Sequence, residues 1–496
     1  MQRRTFIKQS SAAVAAATLA KAVSALPAVS QPKPNLLFIT VDDMDAALPG
    51  FMGNKLGLTP NLDSLAAQSC RFVNNRTTAP ICQPSREAMM TGRVPHRSGG
   101  LGFNPINDGV PTLVSVLKEA GYYTAAIHKT EHMRPPVCFP WDSELRGNDR
   151  KPSIYSDGVK AAIEAARAKK QPFFINCNLN DPHRPFYGST DVYIGNGKTA
   201  QEMDHGEQGE YHINRELTGK DIEVPSILED LPDVRTEYAQ YCNSAQRMDF
   251  TIGKVLRALE STPEAENTIV FFSADHGIPM PFAKATCYAH GTWTPALLKY
   301  PSMRKPRTIE SRTINIDYMP TLLDLMGVAK PAGMDGLSWV PIMQGHQSQN
   351  REFVVTHVNG VSSGAQYPMR AIHDERYALV FTPWSDGKFE LKNESMVGLT
   401  YPAMKRAAET DPRIAVRVRQ YIIGIPLAFY DLKNDPAQRL NVIDKSEHKA
   451  RIAKMKDALL EHMKQTGDPQ LDNLELLLAG KQPVVPQPDK SQIRRE

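Results

Sequence analysis

Continuous apolar runs alternate with amphipathic segments over the first two thirds of the chain. The runs are short and uninterrupted, as is typical of parallel strands buried on both faces, and they cover residues 36–41, 124–127, 172–176 and 268–272. Helical periodicity precedes the last three runs, over residues 113–120, 156–168 and 234–259. This alternation predicts an α/β domain in which helices cover both faces of a mostly parallel sheet.

From about residue 349 the pattern changes to short segments of alternating polarity. These segments predict antiparallel strands of a smaller α+β unit and cover residues 353–357, 369–372 and 376–381. A helix predicted over 447–464 would pack on them, and the proline-rich end from residue 482 has the composition of a disordered tail. We therefore expect a large domain over 34–348, a C-terminal subdomain over 349–480 and a tail over 481–496.

The N-terminus has the pattern of an export signal. Arg3 and Arg4 precede a mild apolar stretch over residues 11–20, and small residues lead up to Ala25. This arrangement resembles a twin-arginine signal over residues 1–30 with cleavage after Ala25. The mature protein is thus expected in the periplasm or outside the cell. No later run is long and apolar enough to predict a membrane span.

Composition narrows the class of protein. The chain is 41% hydrophobic and 23% charged, which suits a large globular protein. Its net charge is only +4 over 496 residues and no basic run stands out, which argues against a nucleic-acid partner. The six cysteines lack the Cys-x-x-Cys spacing of metal sites, and their pairing stays open.

Chemically active residues follow the ends of all four predicted parallel strands. They are Asp42 and Asp43, Lys129 and His132, Asp181 and His183, and Asp275 and His276. Ligands of such sheets collect at the carboxyl ends of the strands, so these residues predict one site. Two adjacent carboxylates are unfavourable without a neutralising cation, which indicates a metal, although an isolated Asp-Asp pair is more often a turn or helix cap.

Cys82 lies in the run Ile81-Cys82-Gln83-Pro84-Ser85-Arg86, which continues to Thr91-Gly92-Arg93. A cysteine alone is most often a small buried side chain. The full run resembles the signature at which sulfatases convert a cysteine to formylglycine, with Met89 in place of the usual leucine.

Taken together, these positions resemble the sulfatase branch of the alkaline-phosphatase-like superfamily, over about residues 34–464. The resemblance implies a sulfuric ester hydrolase with a divalent cation held by Asp42, Asp43, Asp275, His276 and the formylglycine made from Cys82. Calcium is the expected cation. His276 stands where many relatives carry asparagine, which leaves magnesium, manganese and zinc open.

The resemblance also implies catalytic roles. Arg86, Lys129 and Lys284 would surround the sulfate group. A hydroxyl of the hydrated aldehyde would attack sulfur, with Asp275 as base, and His183 would protonate the leaving group. His132 would take the proton of the second hydroxyl so that sulfate leaves; Glu131 and His128 are the alternatives, because the spacing from Lys129 is one residue longer than in many sulfatases.

The segments 180–186, 277–281 and 367–370 look most like the sulfamidase group, which removes N-linked sulfate from glucosamine. Arg184 and Arg370 are the predicted substrate-binding residues, because arginine recognises carboxylate or sulfate with two donors. The implied partners are a sulfated saccharide and a formylglycine-generating enzyme, and a homodimer is compatible. The alternatives are an O-sulfatase, a phosphate or phosphonate monoester hydrolase of the same superfamily, and a protein that binds sulfated sugar without hydrolysing it.

Overall fold

The computed structural model of the chain describes residues 32–147, 149–191, 197–205, 212–346 and 351–485. The predicted export signal and most of the predicted tail lie outside these ranges. The strands are β1 Asn35–Val41, β2 Cys70–Phe72, β3 Asn75–Arg76, β4 Tyr123–Ile127, β5 Ser143–Leu145, β6 Phe173–Leu179, β7 Thr268–Ala274, β8 Ala296–Lys299, β9 Arg307–Ile309, β10 Thr313–Ile314, β11 Val354–Gly360, β12 Gln366–His373, β13 Tyr377–Phe381 and β14 Leu427–Asp431. The α-helices are α1 Pro60–Ala66, α2 Cys82–Thr91, α3 Pro95–Ser98, α4 Leu113–Glu119, α5 Pro152–Ala168, α6 Ala200–His205, α7 Pro232–Glu260, α8 Ala289–Thr292, α9 Tyr318–Leu325, α10 Val340–Met343, α11 Thr400–Ala407, α12 Pro412–Ile423, α13 Lys449–Thr466 and α14 Leu471–Leu478.

The larger sheet in the described part of the chain has eight strands in the order β5-β4-β6-β1-β7-β8-β2-β9. Strand β1 lies between β6 and β7 and is parallel to both, with Leu37 opposite Ile175 and Val270. Strands β4 and β5 continue the parallel arrangement, whereas β8 runs antiparallel to β7. The prediction of a mostly parallel sheet is confirmed.

Both faces of this sheet are buried, which explains the uninterrupted apolar runs. Leu37 and Ile39 of β1 pack into the core cluster formed with helices α1, α5 and α7. Leu36 and Phe38 point to the other side and pack with α4 and α9. A strand covered on both sides needs apolar side chains at odd and even positions alike.

The second sheet is antiparallel, in the order β11-β12-β13-β14. Helices α13 and α14 pack on one face, and α11 and α12 pack on the other together with residues 282–288 of the larger sheet's region. Three of its strands and helix α13 were predicted from the sequence, which confirms a C-terminal unit with an antiparallel sheet.

Some elements extend beyond their predicted bounds. Strand β6 continues to Leu179, because the polar side chains Asn176 and Asn178 find buried partners there. Helix α5 begins at Pro152, four residues before the predicted start, with proline in the first turn where its missing N–H is not needed. All six cysteines are free and buried. In the ranges that the structure describes, no helix is long and apolar enough to cross a membrane.

Candidate active site

The carboxyl edge of the parallel strands gathers the predicted carboxylates. Asp42 and Asp43 follow the last residue of β1, and Asp275 follows the last residue of β7. The backbone N–H of Asp275 donates to Val41, and the N–H of Asp43 donates to Oδ1 of Asp275 at 3.1 Å. The three carboxylates are fully buried. The parallel pairing of β1 with β7 therefore creates a concentrated negative site inside the protein.

Cys82 is the first residue of helix α2 and points into this site. Its Sγ lies 3.3 Å from Oδ1 of Asp42, 3.3 Å from Nε2 of His276 and 3.4 Å from Nζ of Lys284. Every residue of α2 is buried, so the helix is fixed in the core and the cysteine cannot swing away. Cys82 thus lies where carboxylate, imidazole and ammonium groups meet.

Each of the two adjacent aspartates has its own lysine. Nζ of Lys129 lies 2.5 Å from Oδ2 of Asp42, and Nζ of Lys284 lies 2.8 Å from Oδ1 of Asp43. Both lysine side chains are buried, at 10% and 5% exposure. Two buried ammonium groups therefore lie on the adjacent aspartates of the site, where they can bind an anion.

Arg86 lies behind the carboxylates. Its Nε and Nη2 bind Oδ2 of Asp275 at 3.1 and 2.9 Å, and its Nη1 donates to Thr40 and Asn178. The guanidinium is buried and is paired with Asp275, Thr40 and Asn178. Arg86 consequently neutralises and positions Asp275, and its predicted place around the sulfate group stays a prediction.

Thr40 and Asn178 were not predicted as part of the site. Asn178 accepts from Arg86 at 2.7 Å and from the Thr40 hydroxyl at 2.5 Å, while its amide donates to the carbonyls of Ile127 and His128. The sequence signal for them was a polar residue inside an otherwise apolar strand, because a buried amide must find partners.

The backbone around the site adopts left-handed conformations at residues other than glycine. Asp43 has φ 67°, Lys129 has φ 56°, and Phe282 and Ala285 on either side of Lys284 have φ 65° and 60°. Each such residue costs on the order of 1–3 kcal/mol, which the surrounding packing must offset. Gly277 is needed for a different reason, since a Cβ there would lie 1.7 Å from the carbonyl oxygen of His290.

His276 and His183 present one ring nitrogen to the site and anchor the other. His276 Nδ1 lies 3.0 Å from the carbonyl oxygen of Gly277, which leaves Nε2 at 3.2 Å from Asp43. His183 Nδ1 contacts the carbonyl of Arg184, and its Nε2 lies 3.8 Å from Asp43. A ring whose Nδ1–H donates to a carbonyl has a free lone pair on Nε2. The side chain of His183 is 33% exposed, so it lies on the open side of the site.

His132 lies farther out than Lys129. Its ring packs edge-on against Phe103, and its buried Nδ1 has no hydrogen-bond partner among the residues that the structure describes. Burial and then the charge of Lys129 lower the pKa of His132 well below its ordinary value. The imidazole is therefore neutral at neutral pH, and its part in the reaction stays a prediction.

The two predicted substrate arginines are placed differently. Arg184 lies beside His183, where its Nη1 pairs with Glu237 at 2.5 Å and its plane covers the Phe186 ring. Arg370 is fully buried on β12, where it binds Asp468 and the carbonyl of Val358. The assignment of Arg370 to the substrate pocket is therefore wrong, because its donors are used inside the C-terminal unit. Nothing in the local pattern of residues indicates Asp468 as its partner.

The electrostatics of the site shift the pKa values of the two adjacent aspartates in opposite directions. Burial opposes ionisation of Asp42, yet the nearby cations, Lys129 foremost, hold its pKa well below its ordinary value. Burial raises the pKa of Asp43 to about 6 against the pull of Lys284. Burial, together with the negative charge of Asp42, raises the pKa of the Cys82 thiol well above its ordinary range. An unmodified Cys82 is thus a protonated thiol and a weak nucleophile.

The donor set fits a divalent cation. Ligand atoms of Asp42, Cys82, Asp275 and His276 lie within 4.8 Å of one another, and so do those of a second group in which Asp43 and His183 join Asp42 and Cys82. Oδ2 of Asp43 is buried without a hydrogen-bond partner in the described part of the chain, whereas Oδ2 of Asp42 is paired with the ammonium of Lys129. Oxygen-rich, partly unsatisfied sites of this kind suit hard cations such as calcium, and a neutral imidazole also suits a transition metal.

Comparisons with known proteins identify the class. The family model of the sulfatases matches residues 34–328, which is more than half of the chain. A second model, N-sulphoglucosamine sulphohydrolase, C-terminal, matches residues 275–394. The chain therefore belongs to the sulfatase family and is a sulfuric ester hydrolase, with a fold of the alkaline-phosphatase-like type.

Named relatives resemble the chain over most of its length. The human N-sulphoglucosamine sulphohydrolase is 26% identical over 465 residues, which are 88% of this chain and 91% of the relative. An ulvan-active sulfatase of Formosa agariphila is 25% identical over 92% of this chain and 80% of its own. A solved structure bound to its substrate, D-glucosamine-2-N,6-O-disulfate, superposes with a TM-score of 0.65 at 20% identity, over 89% of this chain and 99% of the other.

Proposed function

We propose that this enzyme removes sulfate from a sulfated glycan, with the N-linked sulfate of glucosamine as its preferred target, through a formylglycine hydrate made from Cys82. The observation that carries the proposal is the position of Cys82 Sγ, within 3.4 Å of Asp42, His276 and Lys284. The modification replaces a thiol that the site keeps protonated with a hydroxyl-bearing group at the same point. A formylglycine-generating enzyme would be the partner that carries it out.

Asp42, Asp43, Asp275, His276 and the modified residue 82 would hold the divalent cation, calcium first. A bound cation lowers the pKa of a hydroxyl beside it and stabilises developing negative charge. The protein's own contribution is to hold these donors in place through Arg86 and the pairing of β1 with β7.

Lys129 and Lys284 would bind the oxygens of the sulfate group. The two ammonium groups lie on different aspartates next to Cys82, so an anion between them meets positive charge on both sides. Fixed charges in a water-poor site stabilise a transition state more than the same charges in water. In this proposal Arg86 supports Asp275 and does not contact substrate.

His183 would protonate the leaving amine or alcohol. Its side chain is 33% exposed, and the Arg184 carbonyl contacts its Nδ1 so that Nε2 faces the site. Its partly buried position and the charge of Lys284 lower its pKa, so the free enzyme holds it neutral at neutral pH. An anionic substrate would raise this pKa and supply the acid form in the complex.

The preference for N-linked sulfate draws its support from the second family match and from the 26% identity to the human N-sulphoglucosamine sulphohydrolase. Arg184 is the proposed specificity residue, because Glu237 holds it beside His183, on the open side of the site. A 6-O-sulfated glucosamine and a 2-O-sulfated hexuronate are the O-sulfate substrates that the same chemistry could serve.

Two measurements test the proposal. Mass spectrometry of the peptide that contains Cys82, from active enzyme produced in its native host, is expected to show the aldehyde or its hydrate. Sulfate release from N-sulfated glucosamine is expected to exceed release from 6-O-sulfated and 2-O-sulfated sugars. A thiol at position 82 in fully active enzyme would overturn the formylglycine mechanism, and preferred release from an O-sulfated sugar would overturn the substrate.

A further inference from the structure

A second cluster of metal-ligating side chains lies where helix α3 meets the C-terminal unit, outside the candidate active site. His96 comes from helix α3, His357 from β11 and His462 from α13, and Asp468 follows α13. Ligand atoms of His96, His357 and Asp468 lie within 4.8 Å of one another. These three residues from different parts of the chain thus converge on one point, and His462 adjoins them through His357.

The distances suit a four-coordinate site. His96 Nδ1 and His357 Nε2 each lie 3.9 Å from Oδ2 of Asp468, and His462 Nε2 lies 3.4 Å from His357 Nε2. Ligands at about 2.0–2.1 Å from a tetrahedral zinc ion are separated from one another by roughly 3.3 Å. Small side-chain movements would therefore bring the donors to bonding distance.

The ring nitrogens of His96 are buried and make no hydrogen bonds to the residues that the structure describes. The side chains of His96 and His357 are 3% and 0% exposed. In the described ranges, neither ring nitrogen of His96 has a hydrogen-bond partner, and Nδ1 of His357 has none. A buried polar group without a partner costs about 1–3 kcal/mol, so the cluster is unfavourable unless something binds there.

The imidazoles are in the form that binds metal. Burial lowers the pKa of His96 and of His462 to about 4, in spite of the opposing charge of Asp468. Metal binds the neutral ring, so no proton has to be displaced from these two residues at neutral pH.

Arg370 orients the carboxylate of the cluster. Its Nε donates to Oδ2 of Asp468 at 2.6 Å and its Nη2 donates to Oδ1 at 2.7 Å. A carboxylate oxygen has two lone pairs, so Oδ2 keeps one for a ligand on the side of His96 and His357. Hydrogen-bonded carboxylates of this type are common around metal ligands.

We propose that His96, His357, His462 and Asp468 form a second metal site, which takes a tetrahedral divalent transition metal of the zinc type. The site would be structural, because all four positions are filled by protein ligands. It would join helix α3, which follows the Cys82 helix, to strand β11 and helix α13 of the C-terminal unit. The proposal does not depend on the substrate or on the modification of Cys82.

The test uses the full-length enzyme, stripped with a chelator and saturated with Ca²⁺, to which Co²⁺ or Zn²⁺ is added alone. We expect one equivalent of Co²⁺ per chain with the strong visible absorption of four-coordinate cobalt, and a higher melting temperature with Zn²⁺. H96Q and H462Q are expected to weaken this binding at least about tenfold. The matched control is H346Q, which changes an exposed histidine and should bind like the wild type.

A variant of the first site separates the two centres. D43N removes a carboxylate next to Cys82 and is expected to keep the cobalt spectrum, even if it cannot release sulfate. His462 is only half-buried, so H462Q should fold even if H96Q does not. The proposal is overturned if the Ca²⁺-saturated wild type binds no Co²⁺, or if H462Q binds Co²⁺ as tightly as the wild type does.

Discussion

At the scale of single residues, the site depends on pairing each buried charge with a partner of its own. Asp42 has Lys129, Asp43 has Lys284, and Asp275 has Arg86. The side chains of Lys129, Lys284 and Arg86 are 10%, 5% and 2% exposed. We therefore expect the lysines to contact substrate and Arg86 to hold the site together.

Lys129 is one of the groups that we expect to contact substrate. We expect K129M to lower kcat/KM for a sulfated substrate about 10²–10³-fold, because one positive partner of the developing charge is lost. Initial rates of sulfate release measure this effect. K160M, an exposed lysine of α5, is the control and should keep full activity. Wild-type rates in K129M would remove Lys129 from the proposed clamp.

Arg86 is the cation that we expect to hold the site together. Lysine cannot reproduce its bonds to Asp275, Thr40 and Asn178, so R86K should lower the free energy of unfolding by about 3–5 kcal/mol. Urea unfolding followed by circular dichroism measures the loss. R413K, at a guanidinium that is 90% exposed, should change it by less than about 0.5 kcal/mol. If R86K loses activity but no stability, Arg86 acts on substrate after all.

At the scale of elements, strand ends and helix starts carry the chemistry. Four parallel strands bring their terminal residues to one edge, and helix α2 places Cys82 there in its first turn. The presence of these strands was predicted well, since a run buried on both faces is apolar at most of its positions. The ends were predicted less well, because the polar residues of β6 continue the strand only through partners that tertiary structure supplies.

Helix α4 offers a test of an element boundary. Thr112 caps it by accepting from the N–H of Ser115 at 3.1 Å, and its hydroxyl donates to the carbonyl of Cys138 at 2.5 Å. T112A should lower the free energy of unfolding by about 1–2 kcal/mol, because a buried cap and a buried acceptor lose their partner. The shift of the urea midpoint measures it. T236A, at an exposed threonine of α7, should leave the midpoint near the wild-type value, and equal shifts in both variants would contradict the capping role.

At the scale of the whole molecule, buried histidines link stability to pH. His373 of β12 is fully buried, and burial followed by the charge of Arg76 lowers its pKa well below the ordinary value. Below about pH 6.5 the unfolded chain takes up a proton at this position and the folded chain does not. Its contribution to stability is therefore present above that pH and is lost as the pH falls.

We expect H373Q to make the free energy of unfolding less dependent on pH between 7 and 5. One proton of difference corresponds to about 1.4 kcal/mol per pH unit, so the slope should fall by up to that amount. Urea unfolding at several pH values gives the slope, and H346Q serves as the exposed control. An unchanged slope in H373Q would mean that His373 takes up its proton in the folded state as well.

The sequence alone determined the class of fold and most of the chemistry. Apolar runs buried on both faces, a cysteine in a run of specified neighbours, and charged residues directly after strands are local patterns, and local patterns are readable without coordinates. They placed Lys129, Asp42 and Asp275 at one edge of one sheet, the resemblance to sulfatases added Cys82, and the structure brings these residues together.

Only the tertiary structure decided which groups lie within reach of one another across the chain. Arg86 donates a hydrogen bond to Asn178, 92 residues away along the chain, and Arg370 donates to Asp468, 98 residues away. Arg370 therefore lies inside the C-terminal unit and not in the expected substrate pocket. The convergence of His96, His357 and His462 has the same origin. A buried charge pairs with a group of opposite charge that lies near it in space. That distance is set by tertiary packing, which a local pattern of residues does not specify.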